Sequence, residues 1–336
     1  MIKRCVVLLS LILFLVFAKA LAADAGRHVP TIDELLTIKS VGGAQIAPDG
    51  KWVAYTVGYG DFKQDAFVTQ IWLAEVDTGR TVQLTRGEKS SSNPKWSPDG
   101  QWLAFTSNRL EDKNQIFVIN PAGGEAVPLT KSETAIGNFA WSEDGKSIAY
   151  TATEPVPQIS KDRKEYLGDY EVVRKEYNYA HLWTLNVSEA LSAPVVGKQR
   201  TTKKDFSVDA FSWSPDGSKI VFSATINPDL IQGVTSDVYL LNLADDSVKK
   251  LVSQPGPDNN PRWSPDGKQI VFSSAMGNTT YFASNSRLAV VPAEGGTPRS
   301  ITDSFDENPG LVEWKRTASI SLPSKKQPHI FSALIP

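Results

Sequence analysis

The sequence predicts an all-β protein, a β-propeller of four-stranded blades, and three observations predict it. A phrase of the form Trp-Ser-Pro-Asp-Gly recurs along the chain, an alternating apolar run follows each copy, and turn-forming residues are abundant. With 23 Gly, 21 Pro and nine Trp in 336 residues, the chain carries more punctuation and more aromatic anchors than helical folds use.

Taken in order, residues 1–22 read as a signal peptide. Lys3 and Arg4 make a basic start, Val6 to Phe17 is apolar but for Ser10, and Ala18, Ala20, Ala22 and Ala23 supply small residues for cleavage, expected after Ala20 or Ala22. An uncleaved anchor would need ~20 apolar residues, and Lys19 interrupts this shorter run. The expected location is therefore the periplasm or the exterior. Cys5 precedes the apolar run, so the mature chain has no Cys and relies on packing instead of disulfides. Residues 23–43 form a lead-in, where Thr31-Ile32-Asp33-Glu34-Leu35-Leu36 predicts a short helix outside the propeller, started by Thr31 or Asp33.

The propeller is expected over residues 44–336. Its repeat reads Ala47-Pro48-Asp49-Gly50, Trp96-Ser97-Pro98-Asp99-Gly100, Trp141-Ser142-Glu143-Asp144-Gly145, Trp213-Ser214-Pro215-Asp216-Gly217 and Trp263-Ser264-Pro265-Asp266-Gly267. The Asp positions stand 50, 45, 72 and 50 residues apart, the period of a propeller blade. Pro suits the second position of a type I turn, Asp accepts backbone hydrogen bonds, and Gly tolerates the reversal. Strands such as Trp102-Leu103-Ala104-Phe105 and Ile220-Val221-Phe222 follow the turn. Ile116-Phe117-Val118-Ile119 and Val238-Tyr239-Leu240-Leu241 come next, then a Gly turn in several copies and a short last strand such as Val127-Pro128-Leu129-Thr130. Four strands per unit in a meander make a blade, and one blade hides its faces only by stacking on others.

The long gap between Asp144 and Asp216 holds an insertion at residues 154–180, rich in Lys, Arg, Asp, Glu and Tyr. It is expected to be a projecting, solvated hairpin, with Asp169, Glu171 and Arg174 as candidate peptide contacts. The last blade, residues 308–336, opens with Asn308-Pro309-Gly310-Leu311-Val312-Glu313-Trp314, but Lys315-Arg316-Thr317-Ala318 stands where Ser-Pro-Asp-Gly belongs. His329-Ile330-Phe331 resembles that blade's next strand, so the expectation is five complete repeats and an incomplete sixth. An open blade edge of this kind predicts oligomers or aggregation.

The chemistry-bearing motifs are missing. His28, His181 and His329 have no neighbours at metal-ligand spacing, no Gly-x-Ser-x-Gly occurs, and no Gly-rich loop could cradle a phosphate. The residues therefore predict no catalytic site, no cofactor and no metal. With 35 basic against 37 acidic residues, the net charge of −2 carries no footprint for nucleic acid.

The exported leader, the short helix and the Trp-Ser-Pro-Asp-Gly blades together resemble the amino-terminal half of a prolyl oligopeptidase (S9) serine peptidase, in the acylaminoacyl-peptidase and dipeptidyl-aminopeptidase branch. The insertion around Asp169-Tyr170-Glu171-Val172-Val173, the following His181-Leu182-Trp183, and Asn308 to Trp314 are similar to stretches of that branch. TolB-like propellers share the blade motif. The resemblance implies a propeller that caps an α/β-hydrolase domain and admits only short or unfolded peptides. It carries over no catalytic residue, because the hydrolase domain would follow the last blade. The expected function is a non-catalytic, substrate-gating propeller with a peptide substrate and a hydrolase domain as partners, in a truncated or frameshifted peptidase. The alternative is a free-standing TolB-like periplasmic propeller that binds envelope proteins.

Overall fold

The structure, a computed structural model, describes residues 29–168, 177–311, 313–315, 319–323 and 330–334. The signal peptide predicted at residues 1–22 lies outside the described residues. Five four-stranded sheets follow one another, each a meander in which chain neighbours pair. The first holds β1 (Ser40–Ile46), β2 (Trp52–Asp61), β3 (Ala66–Glu75) and β4 (Thr81–Gln83). The second holds β5 (Ser91–Trp96), β6 (Leu103–Leu110), β7 (Lys113–Ile119) and β8 (Val127–Pro128). The third holds β9 (Ile136–Trp141), β10 (Ser147–Thr153), β11 (Ala180–Asn186) and β12 (Lys198–Gln199). The fourth runs through β13 (Ser207–Trp213), β14 (Lys219–Thr225), β15 (Asp237–Asn242) and β16 (Val248–Val252). The fifth comprises β17 (Asp258–Trp263), β18 (Gln269–Ser274), β19 (Arg287–Pro292) and β20 (Arg299–Ser300). This is the predicted propeller fold, one sheet per repeat.

The repeated phrase folds as a turn between the first and second strands for a local reason. In four copies the Ser hydroxyl donates to the Asp carboxylate two residues on: Ser97 to Asp99 at 2.5 Å, and Ser142, Ser214 and Ser264 to theirs at 2.6 Å. That carboxylate accepts the backbone N–H of Gln101, Lys146, Ser218 or Lys268 at 3.0 Å. The same Ser oxygen accepts from the opening of the next strand, at Trp102, Ser147, Lys219 or Gln269. Gly100, Gly145, Gly217 and Gly267 close the turn with φ near +70°, a region glycine enters without penalty. The repeated Asp residues are thus occupied as turn residues. In the first copy Ala47 replaces Ser, and only the Asp49 link to the Lys51 N–H remains of the side-chain pattern.

The chain divides into two units. In the smaller, residues up to Ser40 join Gly58–Val68. Its helix α1 (Ile32–Leu36) is started by Thr31, whose hydroxyl accepts the Glu34 N–H while the Glu34 carboxylate accepts the Thr31 N–H. Gly60 allows a close approach there, because a Cβ would stand 2.7 Å from the Leu36 carbonyl oxygen.

The larger unit, Val41–Val57 with Thr69–Pro336, buries its core between consecutive sheets. Ala54, Ile71 and Leu73 of the first sheet meet Leu103, Phe105 and Phe117 of the second. Ala104, Ile116 and Val118 on the other face of the second meet Phe139, Ile148 and Tyr150 of the third. Ala149 and Leu182 then meet Phe211, Ile220 and Phe222, and Val221, Val238 and Leu240 meet Ile270, Phe272 and Ala289. Neighbouring residues of one strand therefore serve opposite interfaces, as the two-residue period of a strand requires. Each inner sheet is apolar on both faces, which is why its middle strands read as unbroken hydrophobic runs.

Three differences from the sequence expectation stand out. The described part of the insertion is not a hairpin: Gln158–Leu167 forms helix α2, with no buried residue. Its Lys, Arg, Glu and Gln are good helix formers, Pro157 precedes the helix, and Gly168 ends it at φ +84°. A second helix, α3 (Val187–Ser192), replaces the Gly turn in the third sheet; Asn186 caps it, and Val187 and Ala190 are buried. In the sixth sheet β21 (Glu313–Lys315) pairs with β22 (Ser319–Pro323), and β23 (Ile330–Leu334) pairs with β22. Ile330 therefore belongs to the third strand of that sheet and not to the second. The intervening strand was hidden because no Ser-Pro-Asp-Gly turn announces it.

Candidate functional site

The first strands of the sheets lie in series. The Trp96 indole donates to the Gln45 carbonyl oxygen at 3.0 Å, that of Trp141 to Lys95 at 3.1 Å, and that of Trp213 to Ala140 at 3.1 Å. β13 also packs against both β9 and β17. Each acceptor is the residue just before the preceding repeat's Trp, or before Ile46 in the first. The same place is held by Ser212 and Arg262 in the next two repeats and, in sequence, by Glu313 in the sixth.

Two of these positions are long cations, and both follow a backbone irregularity. Pairing slips between Ser92 and Lys95, and between Asn259 and Arg262. Asn93 and Asn260 turn left-handed at φ +54° and +53°, and Pro94 and Pro261 follow them. Asn tolerates that conformation better than most residues, and a bulge re-aims the side chains beyond it. Lys95 reaches the Asn138 amide oxygen at 3.0 Å, donates to the Phe139 carbonyl oxygen, and sits 5.0 Å from the centre of the Phe139 ring. Arg262 donates to the Phe211 carbonyl oxygen at 3.2 Å.

Burial and then the charge of Arg262 lower the Lys95 pKa to about 8. Burial also lowers that of Arg262, although its side chain is open to solvent. Being walled by protein yet wet is the condition of a side chain that lines a cavity. Asn260 and Arg262 line a cavity of about 250 Å³ together with Val271, Leu288, Pro309 and Leu311. A larger cleft of about 460 Å³ includes Glu111, Lys113 and Lys131, but there Glu111 and Lys113 pair with each other at 3.3 Å.

A second polar group sits at the foot of the insertion. His181 is fully buried, its Nδ1 lies 3.2 Å from the Thr201 hydroxyl, and its Nε2 lies 3.5 Å from Glu154. Thr201 already accepts the Leu182 N–H, so its hydroxyl proton is available to Nδ1, which leaves the ring proton on Nε2 toward Glu154. Lys204 pairs with the same carboxylate at 3.2 Å. Burial lowers the His181 pKa, and Glu154 opposes that effect. Further along, Tyr177 donates to Asp229 at 2.9 Å. These contacts anchor both ends of the insertion.

The candidate contacts Asp169, Glu171 and Arg174 lie outside the described residues. Lys95 and Arg262 were not singled out from the sequence. Their signal was the near-identity of Asn93-Pro94-Lys95-Trp96 and Asn260-Pro261-Arg262-Trp263, two repeats that agree just where the others, Asn138-Phe139-Ala140-Trp141 and Ala210-Phe211-Ser212-Trp213, carry small residues.

Comparison with known proteins adds to this picture. Residues 37–170 match the TolB beta propeller domain. The chain is 36% identical over 99 residues to the Uncharacterized peptidase YuxL of Bacillus subtilis, covering 30% of this chain and 15% of that protein. It is 26% identical over 314 residues to Dipeptidyl-peptidase 5 of Porphyromonas gingivalis, covering 87% of this chain and 45% of that protein. Among solved structures, the β-propeller domain of the Trilobed protease from Pyrococcus furiosus superposes with a TM-score of 0.59 at 15% identity, over 89% of this chain and 82% of that one. The chain spans less than half the length of the curated relatives it matches.

Proposed function

Because the chain carries a TolB-like β-propeller domain and its relatives are peptidases of the S9 family, we propose that it serves as a non-catalytic, substrate-gating propeller for an α/β-hydrolase domain of that family. Support comes chiefly from the alignment with Dipeptidyl-peptidase 5, which runs over 87% of this chain but 45% of that protein, so the repeat region is what the two have in common. In this role the sheets are a wall. They exclude folded proteins from a nucleophile held elsewhere, and short peptides pass. The described groups suit a wall better than a reaction centre, since the repeated Asp residues are tied into turns and His181 is fully buried.

The test is a titration of the full chain with the separately produced hydrolase domain of Dipeptidyl-peptidase 5, followed by hydrolysis assays on a short peptide and on the same peptide within a folded protein. A stable complex that retains only the short-peptide activity is the expected result. No measurable association overturns the proposal. The TolB domain match favours a second role, a free-standing propeller that binds envelope proteins. Capture of one defined envelope protein, with no affinity for the hydrolase domain, would establish that role instead.

A further inference from the structure

We propose that Lys95 and Arg262 together form a binding place for the carboxylate of an acidic peptide, set in the row of first strands. The inference rests on the peptide-gating role proposed above and adds a substrate class to it. The two residues stand 167 positions apart and occupy the same place in their repeats. Lys95 reaches forward to Asn138 and Phe139 of β9, while Arg262 reaches back to Phe211 of β13. β9 and β13 are packed neighbours, and Phe139 and Phe211 are equivalent residues, each two before its Trp. The two cations therefore converge from opposite sides on adjacent strands. Between them the equivalent places are filled by Ala140 and Ser212, side chains too short to occupy the space.

Convergence of like charges is unfavourable in a partly desolvated setting, and an arriving anion relieves it. Among the described residues no Asp or Glu forms an ion pair with either side chain. The hydrogen bonds that Lys95 and Arg262 do make go to neutral oxygens, which orient the groups without neutralising them. Guanidinium and ammonium differ in what they offer. Arg262 presents a planar fork that matches a carboxylate, and Lys95 supplies a point charge beside it. Arg262, though not Lys95, also lines a cavity of about 250 Å³ with Asn260 and Pro309. The lowered Lys95 pKa, about 8, fits a cation that lacks a counter-ion.

The experiment is isothermal titration of the full chain at low salt and pH 7 with acetyl-Ala-Glu-Ala-amide, its Gln counterpart, and inorganic phosphate. The Glu peptide is expected to bind about tenfold more tightly than the Gln peptide, and more tightly than phosphate. Lys95→Met and Arg262→Gln should each erase the preference, and Arg262→Lys should retain part of it. The preference should also fade above pH 8 as Lys95 loses its proton. Equal affinity for the two peptides, phosphate binding as tight as the peptide, or an unchanged preference in both neutral variants overturns the proposal. Thermal melts of the variants establish that they are folded. A native chain that forms the complex with the hydrolase domain but shows no preference for the Glu peptide removes this inference alone.

Discussion

The Trp141 indole nitrogen donates to the Lys95 carbonyl oxygen at 3.1 Å, and so joins the first strand of one sheet to that of the sheet before it. Trp263 occupies the same place in its repeat, yet its indole nitrogen is buried with no hydrogen-bond partner among the described residues. Trp→Phe at each site removes a similar volume, so the difference between the two reports the hydrogen bond. Trp141→Phe should cost about 1 kcal/mol more than Trp263→Phe in urea denaturation, because only the first leaves a carbonyl without its donor. Equal losses would mean that the indole bond does not tie the sheets.

Asp258 opens β17 with its side chain buried, one carboxylate oxygen accepting from Gln254 at 2.9 Å and the other without a hydrogen-bond partner among the described residues. Burial pushes its pKa up to about 6. The folded chain therefore keeps a proton that the unfolded chain releases near pH ~3.9. Folded protein binds more protons in that window, so this residue's contribution falls as pH rises from ~4 to 6. Asp258→Asn should raise stability at pH 7 by about 2 kcal/mol and give no gain at pH 4. Urea midpoints at the two pH values measure it; a gain that is the same at both would refute the buried-carboxylate account.

The turn residues titrate in the opposite sense. The Ser214 hydroxyl, then the Ser218 N–H and hydroxyl, hold Asp216 down at about 2. A depressed carboxylate stabilises the fold above the unfolded value, and the benefit is lost as pH falls through the folded one. Asp216 is largely exposed, so solvent screens most of that benefit. Ser214→Ala removes both the donor to Asp216 and the acceptor of the Lys219 N–H. It should raise the Asp216 pKa in an NMR titration and lower stability at pH 7 by about 1 kcal/mol. An unmoved Asp216 titration would show that the hydroxyl is not what holds it.

Glycine at Gly256 is required twice over. Its φ is +83°, and a Cβ there would stand 2.6 Å from the Ala275 Cβ and 2.9 Å from the Asn278 carbonyl oxygen. Gly217 has a similar φ, +69°, but nothing within 4 Å of its Cβ position. Gly217→Ala should cost about 1 kcal/mol from backbone conformation, and Gly256→Ala about 3 kcal/mol because packing strain adds to it. Similar melting temperatures for the two variants would show that the Ala275 loop yields freely.

Much of the fold was legible in the residues. The Ser-Pro-Asp-Gly turn is a local device, held by hydrogen bonds between positions two to five apart, so it can be read wherever it is spelled. The runs around Ala104, Phe105 and Ile116 through Val118 carry their burial in their composition, and Thr31 with Glu34 spells its own cap. Where the spelling lapsed, so did the reading: the strand Ser319–Pro323 has no such turn before it, and the helix Gln158–Leu167 lies in a charged stretch that any exposed element could use.

By itself the sequence determined the repeat, its period and the meander of each sheet, because short-range turn chemistry and alternating apolarity are written in consecutive residues. The tertiary structure alone decided that Lys95 and Arg262 converge, that Trp141 is bonded where Trp263 is not, and that Asp258 is buried. The first two depend on groups from different repeats brought together by the stacking of sheets, and no window of consecutive residues contains both partners.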